Sequence, residues 1–98
     1  MEIHGLDLDR AGRCRHYHLP VDVAALKCSQ CRKYYACYQC HDALENHHFM
    51  ACKRDDWPVL CGVCGCLMQF EQYQQGSCPR CGHDFNPGCH RHCRIYFK

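Results

Sequence analysis

Between positions 14 and 81 the chain spells CRHY, CSQC, CYQCH with a further His six residues on, then CGVC and CPRC. Cys14, His16, Cys28, Cys31, Cys37, Cys40, His41, His47, Cys61, Cys64, Cys78 and Cys81 are thiol and imidazole donors set in close pairs. Each pair can supply one edge of a tetrahedron and two pairs close it, which is the coordination chemistry of Zn2+. Twelve such donors predict three zinc ions.

The order of the donors suggests how they divide. Cys61, Cys64, Cys78 and Cys81 follow one another and form an all-cysteine site. For the other eight an interleaved arrangement is favoured, with Cys14, His16, Cys37 and Cys40 on one ion and Cys28, Cys31, His41 and His47 on another. The reason is that the adjacent Cys40 and His41 would strain to share one metal edge. Further on, Asn86 and Pro87 suit the start of a helix, on whose next turns Cys89, His92 and Cys93 would share a face. That spacing permits a fourth zinc built from Cys89, His92 and two other donors; the alternative is that they pack, hydrogen-bond or support the all-cysteine site. Cys52 and Cys66 are read as small hydrophobes rather than redox thiols. His4, His18, His83 and His90 are read as surface or supporting groups.

What must position these donors is a chain of 98 residues in which Ile, Leu and Val together number 13. A core that thin needs staples. Structural zinc sites supply them, at roughly 10–16 kcal/mol of apparent binding energy each near neutral pH. A secreted disulfide framework is the competing use of 13 Cys. Against it stand the odd cysteine count, a lead (MEIHGLDLDRAGR) with no apolar stretch of the secretory kind, and CxxC pairs too tight to staple distant segments. No apolar run approaches the ~18 residues of a membrane span, so no membrane association is expected. The formal charge of +2 also changes on metallation: nine Cys lose nine protons while three Zn2+ add six charges, which leaves about −1. With basic residues scattered and no CxxC followed by HxxxH, nucleic-acid binding is not expected.

The elements are short. Residues 1–13 read as a polar lead carrying Ile3, Leu6 and Leu8, either one short strand or an ordered tail against the first module; residues 14–60 read as a first zinc module and residues 61–98 as a second, both within one domain. Val21, Val23, Ala25 and Leu26 suit a short strand entering the CSQC turn. CHDALENHH reads as a helix with Asp42 as N-cap and Glu45 completing a capping box, His41 just before it and His47 near its end. FMACKRDDWPVL reads as the joint between modules, with Trp57 as a structural anchor. Glycines after CGVC and CPRC allow knuckle turns whose amides face sulfur. LMQFEQYQQG places Met68 and Phe70 on one face of a β-hairpin. The class predicted is a small zinc-stabilised α+β fold, an interleaved module followed by a zinc-ribbon-like hairpin module.

At CRHY followed by KYYACYQCHDALENH the chain resembles the CHY-type zinc-finger family, named for the Cys, His and Tyr that stand here at Cys14, His16 and Tyr17. The likeness continues through LCGVC, CPRCGHDFNPGC and the closing IYF, and is closest to the small stand-alone form of the family, found in bacteria and in fungal mitochondria. The resemblance carries ligand roles to Cys14, His16, Cys31, Cys37, Cys40, His41, His47, Cys61, Cys64, Cys78 and Cys81. Where many members have two adjacent Cys, this chain has Gln30 and Cys31, with Cys28 three residues earlier. Cys89 and His92 match a Cys and a His of the short form. Larger members join this module to a RING domain and act as ubiquitin ligases; no second set of eight donors is present, so ligase activity is not implied.

Three functions can be weighed on these residues. Closed four-ligand sites favour a protein-interaction module with structural zinc, expected to be a monomer that binds another protein. The family's small fungal form implies instead a factor that handles a partner's thiols or zinc. Hydrolytic zinc catalysis needs three protein ligands, a bound water and a base; with no HExxH and no HxE with PCxxC, no enzyme is expected. The lead lacks a targeting peptide, which predicts the cytoplasm, with the mitochondrial intermembrane space as the alternative.

Overall fold

A computed structural model of the chain describes residues 3–17, 20–85 and 93–97. The expected helix start at Asn86 and Pro87, the candidate ligands Cys89 and His92, His18, His90 and the side chain of Cys93 lie outside the described residues.

Five short strands form one sheet: β1 (Ile3–His4), β2 (Ala24–Lys27), β3 (Tyr34–Tyr35), β4 (Val59–Cys61) and β5 (Leu67–Met68). Their order is β1-β3-β2-β4-β5, antiparallel except for the parallel β1–β3 pair. The strand expected over Val21–Leu26 is β2, which begins only at Ala24 and sits at the sheet centre. Cys61 ends β4, which pairs with β2 through Ala24↔Cys61, Ala25↔Leu60 and Leu26↔Val59. The segments before and after residue 60 therefore share one sheet.

Alternation along the strands divides the apolar residues between two faces. Leu26, Val59, Cys61 and Met68 face the main core with Val23, Phe70, Tyr73, Phe85, Tyr96 and Phe97. Ala25, Tyr34 and Leu60 face the other way, against Ile3. The main core is held largely by rings: Phe70–Phe97 at 4.7 Å, Tyr73–Phe85 at 5.3 Å and Phe49–Tyr96 at 5.3 Å. Such edge and tilted contacts give aromatic residues specific geometry as well as buried area. The closing IYF motif finds its use here. In the last helix, α3 (Cys93–Tyr96), the Tyr96 hydroxyl accepts from the Tyr38 amide at 3.1 Å, and the Tyr96 carbonyl accepts from the Cys52 amide at 2.9 Å.

Two local expectations are corrected. Helix α1 spans Tyr38–Leu44, so it starts four residues before Asp42, and its N-cap is Cys37, whose sulfur accepts from the Cys40 amide. The CYQC knuckle is itself the first helical turn, which leaves Asp42 inside the helix. Glu45 is the C-cap, its amide bonded to the His41 carbonyl, and its carboxylate accepts from the Tyr35 hydroxyl at 2.6 Å. Likewise, the strand after CGVC stops at Met68 and pairs back with β4; residues Phe70–Tyr73 form a helical turn, α2. Gln72 Oε1 caps the Gln69 amide at 2.9 Å, and the i, i+3 pair Phe70 and Tyr73 is buried together. Trp57, read as a structural anchor over the joint, is 46% exposed, and Pro58 beside it is buried.

The lead is an integral layer. β1 pairs with β3, Leu6 and Leu8 pack on Cys14, Cys37 and Cys40, and the Asp9 carboxylate caps the amides of Ala11 and Arg13, both at 2.9 Å. Gly62 shows how closely it lies against the knuckle. A Cβ there would stand 1.9 Å from the Ala11 carbonyl oxygen and 2.8 Å from that of Val23.

Candidate metal centres

Four CxxC turns bring the sulfurs into place. In three of them the same backbone recurs: the amide of the fifth residue bonds back to the first cysteine's carbonyl, as Arg32 to Cys28 (2.8 Å), Gly65 to Cys61 (2.8 Å) and Gly82 to Cys78 (2.9 Å). The first cysteine's own amide then bonds to the carbonyl five residues on, at Lys33, Cys66 and His83. That fifth residue adopts positive φ in each case: 60° at Arg32, 80° at Gly65 and 76° at Gly82. Glycine takes this conformation at little cost; Arg32 is the exception, and its guanidinium bonds Asp56 Oδ2 at 2.8 Å. CSQC thus builds the same knuckle as CGVC and CPRC, although no glycine marks it. The turns leave amides aimed at sulfur, including Arg80 and Cys81 on Cys78 at 3.4 and 3.5 Å.

Among the described residues three groups of donor atoms converge, each with its atoms within 4.8 Å of one another: Cys14, His16, Cys37 and Cys40; Cys28, Cys31, His41 and His47; and Cys61, Cys64, Cys78 and Cys81. The donors are interleaved in sequence, as the adjacency of Cys40 and His41 suggests. Cys40 lies in the first group and His41, one helical residue later, points into the second.

Whether these groups fit zinc can be tested on their edges. With Zn–S about 2.3 Å and Zn–N about 2.05 Å, a tetrahedron has edges of ~3.8 Å between sulfurs, ~3.6 Å between sulfur and nitrogen and ~3.4 Å between nitrogens. The sulfurs stand 3.6 Å apart in Cys14–Cys37, 3.8 Å in Cys61–Cys81 and 3.6 Å in Cys64–Cys78. His16 Nδ1 lies 3.5 Å from the sulfurs of both Cys37 and Cys40, and 3.8 Å from that of Cys14. In the mixed group Cys28 Sγ to His47 Nε2 is 3.8 Å, and His41 Nε2 to His47 Nε2 is 3.2 Å. A disulfide needs about 2.05 Å; none joins the described cysteines.

The proton chemistry of the groups also calls for a cation. Contact with Cys37 holds the Cys14 thiol down to about 4, while the same contact and burial drive Cys37 upward. Burial, against the amides of Cys64 and Val63, pushes Cys61 up to about 12. At Cys78 burial also works upward, but the amides of Cys81 and Arg80 outweigh it and bring the thiol to about 6. At Cys28 the amides of Cys31 and Met50 likewise overcome burial, to about 7. One sulfur in each cluster is ready to be a thiolate while a neighbour resists, because burial disfavours the charge and an adjacent thiolate repels a second one. A divalent ion removes that conflict and lets all the sulfurs ionise.

Surroundings differ from group to group. The first is sealed by the lead, whose Leu6 amide donates to Cys40 Sγ at 3.4 Å, leaving only His16 exposed. In the second, His41 is fully buried, edge-on to Tyr35 at 4.7 Å and Phe49 at 5.3 Å, while Cys31 and His47 are half-buried. In the third, Cys81 is exposed. Supporting residues that spacing alone did not mark include Tyr35, whose hydroxyl lies 3.5 Å from Cys31 Sγ. His83, one of the histidines outside the quartets, bonds the Pro20 carbonyl at 2.7 Å and ties the last knuckle to the segment before β2. Cys52 is buried within hydrogen-bonding reach of Asp56, and Cys66 donates to its neighbour's carbonyl at Leu67.

Comparison with known proteins gives the same picture. The CHY zinc finger family model matches residues 14–96. Helper of Tim protein 13 of Kluyveromyces lactis is 42% identical over 98% of this chain and 88% of its own length. Its namesake in Saccharomyces cerevisiae is 38% identical over 98% of this chain and 90% of its own. A Schizosaccharomyces pombe protein is 40% identical over 98% of this chain and 88% of its own.

Proposed function

The chain belongs to the CHY zinc finger family, and from that premise we propose that its zinc ions are structural and that the shape they impose is a protein-interaction module without catalytic activity. The proposed ligands are the twelve residues of the three quartets. The observation that carries this reading is that each group gathers four protein donors within 4.8 Å of one another, with edges close to tetrahedral length at Cys14–Cys37, Cys61–Cys81, Cys64–Cys78 and Cys28–His47. A hydrolytic zinc keeps one position open for water, and none of the quartets leaves a vertex free. The partner proposed is another protein; among the described residues no helix is long and apolar enough to cross a membrane.

The test is a chelator titration of the native protein, with bound zinc counted by native mass spectrometry and fold followed by circular dichroism. Three zincs per chain, lost together with the secondary structure, support the structural role. Removal of one zinc with the fold intact would overturn it.

A second reading has its own support. The relatives named as helpers of Tim suggest a factor that assists a partner by handling its thiols or zinc, and the exposed Cys81 offers incoming thiols a point of attack. This role goes with the mitochondrial intermembrane space rather than the cytoplasm. It predicts zinc passing between this chain and a protein with a free cysteine pair, which the structural role does not.

A further inference from the structure

Asp42 stands where an acid is unwelcome. It lies in the last turn of α1, where the exposed carbonyls carry partial negative charge and disfavour a carboxylate. Its contacts explain the placement. Oδ1 accepts from His41 Nδ1 at 3.0 Å and from the Phe49 amide at 2.9 Å, while Oδ2 faces His48 Nδ1 at 3.7 Å.

The His41 ring is 0% exposed and has two nitrogens to satisfy. With the Nδ1 proton committed to Asp42, Nε2 keeps its lone pair, and Nε2 is the atom 3.2 Å from His47 Nε2 in the mixed cluster. The other tautomer would turn an N–H at the metal and leave two lone pairs facing each other at Asp42. The Phe49 bond does a second task. It latches the segment after the helix, whose Met50 amide donates to Cys28 Sγ at 3.4 Å and which carries His47. One carboxylate thus joins α1, the His47 loop and the first knuckle. His47 has a weaker support, its Nδ1 lying 3.3 Å from the neutral Asn46 side chain.

We propose that Asp42 is the positioning residue of the Cys28–Cys31–His41–His47 site, selecting the His41 tautomer that presents Nε2 to zinc and drawing His47 into place through Phe49. This rests on the reading of that quartet as a zinc site. Carboxylates in this relation to a metal-bound imidazole raise its basicity and fix its orientation, and losing one typically costs about 10–100-fold in metal affinity.

The experiment compares zinc-loaded full-length wild type, Asp42→Ala and Asp42→Asn under chelator competition. Imidazole 1H–15N resonances of His41 and His47 report this site, those of His16 report the site it shares with Cys14, Cys37 and Cys40, and the Gly65 and Gly82 amides report the all-cysteine site. Asp42→Ala should release zinc from the His41 site at about 10–100-fold lower chelator strength, lose the protected His41 Nδ1 proton and leave the other two sites unchanged. Asp42→Asn should recover most of the affinity, because its amide oxygen still accepts both hydrogen bonds. Equal affinity in Asp42→Ala and wild type, or a uniform loss at all three sites, overturns the role. If wild-type His41 and His47 resonances do not respond to zinc, the quartet itself is refuted, and Asp42's role falls with it.

Discussion

Gly62→Ala tests the tightest approach in the fold. The new Cβ would sit 1.9 Å from the Ala11 oxygen, 2.7 Å from its carbonyl carbon and 2.8 Å from the Val23 oxygen. All three are backbone atoms, so no rotamer change relieves the clash. The Val23 side has little freedom to yield, since its carbonyl accepts the Gly62 amide at 2.7 Å within the joint of β2 and the knuckle. The lead must therefore retreat by about 1 Å or more to restore ordinary contact, against the Asp9 cap that holds Ala11. Overpacking of this kind costs about 1–3 kcal/mol, equivalent to a fall in Tm of roughly 4–24 °C for a domain of this size. Melting followed by far-UV circular dichroism at one fixed free-zinc concentration measures it, because bound metal shifts Tm. Limited proteolysis should show earlier cleavage within residues 3–13. Gly65→Ala is the control: a Cβ there meets nothing within 4 Å, and only its φ of 80° is unfavourable, a cost of about 1–2 kcal/mol. A Gly62→Ala protein melting within about 2 °C of wild type and equally resistant to protease would refute the packing of the lead on the knuckle.

Further outcomes follow from the same contacts. Tyr96→Phe should lower stability by about 0.5–1.5 kcal/mol in a denaturant titration, since the Tyr38 amide loses its acceptor; an unchanged midpoint would show that water replaces it. Cys66→Ser should leave zinc content unchanged by mass spectrometry, and loss of one zinc would make Cys66 a ligand. Loading the unfolded chain with zinc near pH 7 should release about nine protons per chain, one for each cysteine in the quartets. The loaded state then binds fewer protons, so its stability rises with pH and is lost on acidification; zinc retention that improved as pH fell would contradict the thiolate assignment.

The gathering of donors was legible because zinc knuckles are local: four residues and a turn define each, and pairs need only be matched. The interleaving was legible from a single conflict, that of Cys40 with His41. Helix α1 was misread because Asp42 and Glu45 imitate a capping box, whereas the cap is a sulfur, Cys37, that sequence rules do not count among cap residues. The turn at Phe70–Tyr73 was misread because Met68 and Phe70 satisfy a period of two as well as the true change from strand to helix. The lead's short strand and its seat on the first module were legible from Ile3, Leu6 and Leu8, but its contact with the CGVC knuckle was not, because the close approach at Gly62 exists only in space. Composition did foretell the thin aliphatic core, but not that a chain of rings from His41 through Phe49 and Tyr96 to Phe97 would supplement it.

Three different donor sets converge in one sheet-centred domain: three cysteines with one histidine, two cysteines with two histidines, and four cysteines. Substituting 113Cd for zinc tests this most directly, because the cadmium resonance moves steadily downfield as sulfur replaces nitrogen in its coordination sphere. Three resonances of equal intensity are expected, one for each donor set, with the signal of the two-histidine site coupled to His41 and His47. Two resonances, three alike, or a chain that keeps its fold with no metal bound would contradict it.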